Sequence, residues 1–262
     1  VHIQSLAYRT DLHLRRIAGA DVTEHPDYLV VRTADNPHFW WGNFVLAAPD
    51  VLPRALEIFR SELPDASHIA IGVDGTGPEL LGRVREAVAS WGLAGSETGA
   101  DTVLTAERLR APGHPAGAEI RPLVSAGEWD GLVALRRVTS EVAPTAENDA
   151  FLVAKAAEDR RLCTSGLATW FGAFEGGQVV AALGIVPDGR GLARYQQVST
   201  HPAHRRRGLA SALLHAAAEH ARAAGARTLV IVADPDAEAI GLYRRLGFTA
   251  TEHQVRVQRP PA

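Results

Sequence analysis

The sequence predicts an α/β fold: a mixed, mostly antiparallel central sheet flanked by helices, built as a tandem of two related domains. Three observations predict it. Residues 119–258 read as two helices, three strands, then helix, strand, helix and strand. Residues 43–106 repeat the closing strand-helix-strand-helix-strand series in the same order. Between the two lies PGHPAGA, residues 112–118, a Pro/Gly-rich stretch that reads as a linker. The expected division is an N-terminal domain over 1–111, the linker over 112–118 and a C-terminal domain over 119–262, both domains of ordinary size.

In the downstream part, Ser125 and Glu128 have the spacing of a capping box, and LVALRRV continues with helical periodicity. NDAFLVAKAAEDRRL is a second helical run. LATWFGAFE (167–175), QVVAALGIV (178–186) and ARYQQVST (193–200) are rich in β-branched and aromatic residues. Gly176–Gly177 separates the first two and PDGRG the last two, the pattern of an antiparallel meander. After Pro202 a helix over about 208–224 lines up Leu209, Leu213, Ala216 and Ala217 and stops at Gly225. The strand TLVIVA, the helical AEAIGLYRRLG and a last strand HQVRVQ complete this domain. Upstream, NFVLAA (43–48), LPRALEIFRSELP (52–64), HIAIGV (68–73), PELLGRVREAVASWG (78–92) and TVLTA (102–106) form the shorter series. An offset of 153 carries Val45 onto Val198 and one of 155 carries Gly92 onto Gly247, as an internal duplication with a small loop insertion would.

Composition narrows the function classes. Of 262 residues, 46% are apolar and 22% charged, which is enough for a core and unlike a disordered chain. A net charge of -3 argues against nucleic acid or an anionic membrane as partner, since both favour a basic face. The single cysteine, Cys163, excludes an intrachain disulfide and a cysteine-built zinc site, and fits a reducing, cytoplasmic setting. The first residues, VHIQSLAYRTDLHLRRIAG, lack the apolar core of a signal peptide, and no segment approaches the ~18 apolar residues of a membrane span. Lys155 is the only lysine, so it alone could form a Schiff base.

The stretch that carries chemistry is VSTHPAHRRRGLASALL, residues 198–214. A strand ends near Thr200, Pro202 prevents further pairing, and a helix starts at or just before Gly208. Gly208 permits close backbone approach and Ala210 keeps the first turn slim, so the amides from Arg206 to Ser211 can face outwards. Free donors at the positive end of a helix dipole attract anions, and Arg205, Arg206 and Arg207 add to the field. A phosphate or pyrophosphate is the group expected there.

These residues resemble a known family. Arg205-x-x-Gly208-x-Ala210, preceded by Val198-x-Thr200-x-Pro202, is similar to the acyl-CoA pyrophosphate loop of the GCN5-related N-acetyltransferases, the GNAT superfamily. Asp236-x-x-Ala239-x-x-Leu242-Tyr243-Arg-Arg-Leu-Gly247-Phe248 is similar to that family's second signature, except that asparagine is usual where Asp236 stands. The resemblance covers residues 119–258 and implies an acyl-CoA-dependent N-acyltransferase with acetyl-CoA as cosubstrate, no metal and a small-molecule amine as acceptor, as a monomer or homodimer. By resemblance, the strand over Val198, Ser199 and Thr200 binds the pantetheine arm, and the amides of Arg206, Arg207, Gly208, Leu209, Ala210 and Ser211 cradle the pyrophosphate beside Arg205. Asp236 stands where a helix cap or donor contact is expected. The amine then attacks the thioester directly, a backbone amide near Val198 stabilises the oxyanion, and Tyr243 protonates the leaving thiolate.

Several residues carry a second reading. Tyr243, between apolar neighbours, is either this acid or a core tyrosine. Many relatives carry a glutamate just before the Val198 position; Gln196 and Gln197 stand here and cannot accept a proton, so the base is either a water relay or a carboxylate such as Glu141. His201 and His204 flank the loop, where a local structural role is expected, and the HFWWGNF segment is expected to pack in a core. In the upstream copy, Gly208 falls opposite Ala55, Arg205 opposite Leu52 and Tyr243 opposite Val88, so that half reads as a degenerate GNAT-like copy without the loop or the acid. Two alternatives to a small-amine acetyltransferase stay open: a non-catalytic acyl-CoA sensor, and a tandem enzyme resembling mycothiol synthase.

Overall fold

The structure, a computed structural model, describes residues 2–77, 79–112 and 117–261. The middle of the expected linker, 113–116, and Pro78, expected at a helix start, lie outside them. In chain order the elements are α1 (Leu6–Ile17), β1 (Asp21–Glu24), β2 (Tyr28–Arg32), β3 (Phe44–Ala47), α2 (Ala55–Glu62), β4 (Ile69–Val73), α3 (Leu80–Ser90) and β5 (Glu97–Ala106). Then follow β6 (Glu119–Pro122), α4 (Ala126–Thr139), α5 (Ala146–Thr164), β7 (Thr169–Glu175), β8 (Gln178–Pro187), β9 (Leu192–Thr200), α6 (Leu209–Ala223), β10 (Thr228–Ala233), α7 (Ala239–Leu246) and β11 (Thr249–Arg259).

The chain forms two compact units, neither continuous in sequence. The first holds the described residues up to Leu104 with Val232–Ala237 and those from Ala250 onward; the second holds Thr105–Ile231 with Glu238–Thr249. The strand HQVRVQ, expected to close the C-terminal domain, therefore belongs to the first unit as part of β11. The cause is in its side chains. Val255 and Val257 alternate into the first unit's core opposite Val73 and Ile71 of β4, and are 1% and 0% exposed. On the strand's other neighbours, Glu252 Oε1 accepts from Ser5 Oγ at 2.8 Å, Gln254 Nε2 donates to Asp11 at 2.7 Å, and Arg256 pairs with Asp101 of β5 at 2.8 Å.

The first unit's strand order is β1-β2-β3-β4-β11-β5. The β1-β2-β3 series is antiparallel, β3 and β4 are parallel with α2 as the crossover, and β11 runs antiparallel to β4. Tyr8 of α1 lies flat over Gly72, where a Cβ would stand 2.7 Å from the ring, and its hydroxyl donates to Val255 O at 2.6 Å. Trp40 and Trp41 pack against this core, the use expected for the HFWWGNF segment.

In the second unit the order is β10-β9-β8-β7-β6. Strands β6 to β9 are antiparallel neighbours, and β10 joins β9 in parallel after the α6 crossover. Successive side chains on a strand face opposite ways. Accordingly Trp170 meets Trp129 of α4, whereas Phe171 meets His220 of α6, so helices cover both faces. Along the chain, two series of seven elements run in one order, β1-β2-β3-α2-β4-α3-β5 and β7-β8-β9-α6-β10-α7-β11, the last strand of the second series lying in the first unit's sheet. The repeat thus extends upstream of the expected series to include a meander, β1-β2-β3, in the first unit as well.

Beneath α4 and α5 lies a charged cluster. Lys155, only 3% exposed, donates to Glu158 at 2.8 Å and to Asp159, whose other oxygen accepts from Arg136 at 2.6 Å. The chain's only lysine is thereby committed to a buried ion network and has no role as a nucleophile.

The capping box at the start of α4 forms as expected. Glu128 accepts from the amides of Val124 and Ser125 at 2.6 and 2.9 Å, and pairs with Arg121 at 2.8 Å. The Val124 amide first, then Ser125 and Arg121, hold its carboxyl down at about 2, from an ordinary 4.5. A carboxyl lowered by folding adds stability above its unfolded pKa and loses it as pH falls through the folded one. Urea midpoints should therefore drop between pH 4.5 and 2, and Glu128→Gln should flatten that part of the profile while lowering the midpoint at pH 7.

Candidate functional site

The site is built where β9 leaves its neighbours. Against β8 the register passes from Gly184↔Gln196 to Ala182↔Ser199, so Gln197 and Val198 together face Leu183. Gln197 takes a left-handed φ of 48° to make this bulge. A bulge leaves its extra residue out of the ladder and disrupts the pairing around Gln197 and Val198. On its other edge β9 pairs with β10 only over Leu192–Arg194, so Tyr195 to Thr200 run on beyond that register. Tyr195 pins the strand to α6 by donating its hydroxyl to Leu214 O at 2.8 Å.

After Thr200 the chain makes a short turn over Pro202–His204, and His201 Nδ1 accepts from Ala203 N at 3.2 Å. Arg205 is extended, Arg206 has φ 64° and Gly208 has φ 79°. Left-handed residues spaced this way turn successive amides to one side. Gly208 caps α6 without a side-chain hydrogen bond, and Ala212 N donates to Gly208 O at 3.0 Å. The amides of the turn before Ala212 have no intrahelical acceptor in an α-helix. Leu209, 2% exposed, anchors that turn to the core, with Ala210 and Ser211 half-buried beside it. A Cβ on Gly208 would meet no atom within 4 Å. The backbone conformation alone favours glycine, since the place its Cβ would take is open.

The three arginines are not equivalent. Arg207 forms a two-pronged ion pair with Glu175, NH1 to Oε2 at 3.0 Å and NH2 to Oε1 at 2.9 Å. Arg205 Nε lies 3.4 Å from Thr200 O, and Arg206 is exposed. His204 Nδ1 is 3.1 Å from Glu175 Oε2, so both histidines have the local loop roles expected of them. Tyr243, on α7, is 5% exposed and packs edge-on to Phe248, and burial pushes its phenol up to about 12.

A family model, described as the Acetyltransferase (GNAT) family, matches residues 132–248, a span that contains the bulge, the loop and Tyr243. Residues 132–248 belong to the GNAT family. The fold agrees. A GCN5-related N-acetyltransferase from Kribbella flavida aligns over 99% of this chain and 97% of its own, with a TM-score of 0.67 at 18% identity. One from Sphaerobacter thermophilus aligns over 99% and 88%, with a TM-score of 0.62 at 17% identity. A tandem GNAT protein from the clavulanic acid biosynthesis pathway aligns over 95% and 88%, with a TM-score of 0.59 at 15% identity. No curated protein matches the sequence significantly.

The GNAT domain departs from expectation at Asp236. The helix α7 is capped at Glu238, in helical conformation and without a side-chain bond. Asp236 instead sits exposed in the preceding turn, its amide donating to Asp234 Oδ1 at 2.8 Å. The cap expected of Asp236 is absent because Asp234 organises that turn. Glu141 lies in the exposed loop after α4. Burial raises the Cys163 thiol to about 11, leaving it a poor nucleophile. Among the described residues, no cluster of three His, Cys, Asp or Glu could hold a metal ion, and no helix is long and apolar enough to cross a membrane.

The equivalent place in the first unit is closed. Between β3 and α2 a tight turn over Pro49–Arg54 runs straight into the helix, with Val51 N bonded to Ala48 O and Ala55 N to Leu52 O. Ala55 has ordinary helical φ of -60° where Gly208 is left-handed. Without left-handed residues the amides stay within the turn, so this series keeps the element order of the later one and lacks the cradle.

Proposed function

We propose that the chain is an acetyl-CoA-dependent N-acetyltransferase acting on a small-molecule amine by direct attack. The observation that carries the reading is the left-handed Gly208 at the uncapped start of α6, which presents the amides of Arg206, Arg207, Gly208, Leu209, Ala210 and Ser211 to a pyrophosphate. Arg205 and Arg206 add positive field there, and the free edge of β9 over Val198, Ser199 and Thr200 offers the pantetheine arm a strand to pair with. Asp236 has no assigned contact with the donor in this reading. The donor supplies an activated thioester, and the chain's residues position it and hold the charges that develop.

The Val198 amide, at the bulge, serves as oxyanion donor. Tyr243 stands ready as a hydrogen-bond donor to the leaving sulfur. A phenol near 12 is a weaker acid than a thiol of about 8.5, so outright transfer in this setting runs uphill by roughly 5 kcal/mol. Tyr243 therefore assists by hydrogen bonding: the C–N bond forms as the C–S bond breaks, the sulfur leaves as the thiolate, and the proton of the acylated amine passes to water. Tyr243 stays protonated throughout the assay range, so the rate should rise with pH as the acceptor amine loses its proton, with an unchanged profile in Tyr243→Phe.

The neutral Gln196 and Gln197 favour one other reading, an acyl-CoA sensor without turnover. Release of free CoA thiol from acetyl-CoA, followed with a disulfide reagent across a panel of small amines, separates the two. Amine-dependent release is expected. Tight CoA binding with no amine-dependent release would overturn the enzyme in favour of the sensor.

A further inference from the structure

We propose that Glu175 is a positioning residue for the acyl-donor loop, acting through Arg207 and His204; the inference rests on the donor-site reading above. Glu175 is the last residue of β7, far from the loop in sequence, and its side chain is 18% exposed. One carboxylate grips both ends of the segment that must stay open: His204 closes the turn after Pro202, and Arg207 directly precedes the left-handed Gly208. Oε2 lies 3.1 Å from His204 Nδ1 and accepts from Arg207 NH1 at 3.0 Å, while Oε1 makes an ion-pair contact with Arg207 NH2 at 2.9 Å. Arg207 NH1 and His204 Nδ1 are themselves 3.1 Å apart, and His201 stacks edge-on to His204 at 5.4 Å.

The grip matters because the loop's geometry is costly. Arg206 has a side chain in left-handed conformation at φ 64°, which an L-residue avoids unless its surroundings impose it. One charge-assisted hydrogen bond to Oε2, with the second guanidinium nitrogen in ion-pair contact with Oε1, restrains the Arg207 head group in position. Arg205 and Arg206 form no ion pair among the described residues, so Glu175 sorts the arginines: Arg207 braces the loop, and its neighbours face solvent, free to meet phosphate. Glu175 touches no reacting atom in this scheme.

Glu175→Gln keeps the shape and removes the charge. In the absence of ligand, trypsin should nick the variant after Arg205 and Arg206 at least about fivefold faster than the wild type, at equal thermal midpoint. By calorimetry, its Kd for CoA should rise about fivefold, the order expected of a partly exposed ion pair, with kcat at saturating acetyl-CoA within twofold. Arg207→Gln should raise the Kd for CoA, and the double variant should be no worse than the weaker-binding single one, because both act through one contact. An unchanged nicking rate, an unchanged Kd, or additive losses in the double variant would each overturn the proposal. If the wild-type protein binds no CoA, the donor-site reading falls, while the nicking comparison still decides whether Glu175 holds the loop.

Discussion

Gly208→Val is expected to reduce affinity for CoA on the order of a hundredfold while the protein stays folded. At φ 79° an L-residue is strained, by roughly 1–2 kcal/mol, and β-branching makes the conformation less accessible still. The loop relieves the strain by leaving the left-handed region, which turns the amides away from the donor. Each charge-assisted hydrogen bond lost is worth about 1.5–3 kcal/mol, so losing one or two accounts for the hundredfold. The added Cβ meets no protein atom within 4 Å, so packing does not oppose the folded state. Titration of CoA by calorimetry, with a thermal melt as control, checks both halves. Gly208→Ala should show the same trend at smaller size.

Tyr243→Phe should lower kcat by about a hundredfold and change the KM for acetyl-CoA by less than threefold. The ring is buried against Phe248 and loses nothing in packing when the hydroxyl goes. What goes is a hydrogen bond to the sulfur on which charge develops, worth about 1.5–3 kcal/mol and so on the order of a hundredfold. Steady-state rates with the best amine of the panel measure the split between kcat and KM. A loss confined to KM would place Tyr243 in donor packing alone.

What the sequence conveys about this site depends on distance along the chain. Gly208, Arg205 and Ala210 are legible because the strand, turn and helix start around them are local, and a glycine at a helix start supplies little beyond backbone freedom and close approach. The capping box of Ser125 and Glu128 is legible for the same reason. Glu175 is not, because its partner Arg207 is brought in by strand pairing that no local pattern encodes. The bulge is equally hidden: Gln197 adopts φ 48° without glycine's help, and only the register with β8 reveals it. HQVRVQ announces a strand through its alternation, and alternation does not name the sheet; Glu252, Gln254 and Arg256 decide it by finding Ser5, Asp11 and Asp101. Asp236 shows the opposite error, a familiar cap residue displaced by Asp234 two positions earlier. The meander of β1 and β2 is not legible either: DVTE of β1 holds one apolar residue, and YLVVR of β2, though apolar, is a five-residue run whose periodicity alone does not separate strand from helix.

The claim on which the rest depends is that the amides from Arg206 to Ser211 hold the donor's pyrophosphate. Calorimetric titration of the wild-type chain with CoA, and with pantetheine, which lacks the phosphates, tests it most directly. CoA is expected to bind at least about a hundredfold more tightly than pantetheine, and Gly208→Val to erase most of the difference by weakening CoA alone. Equal affinity for the two ligands, or a Gly208→Val variant that binds CoA as the wild type does, would contradict the claim.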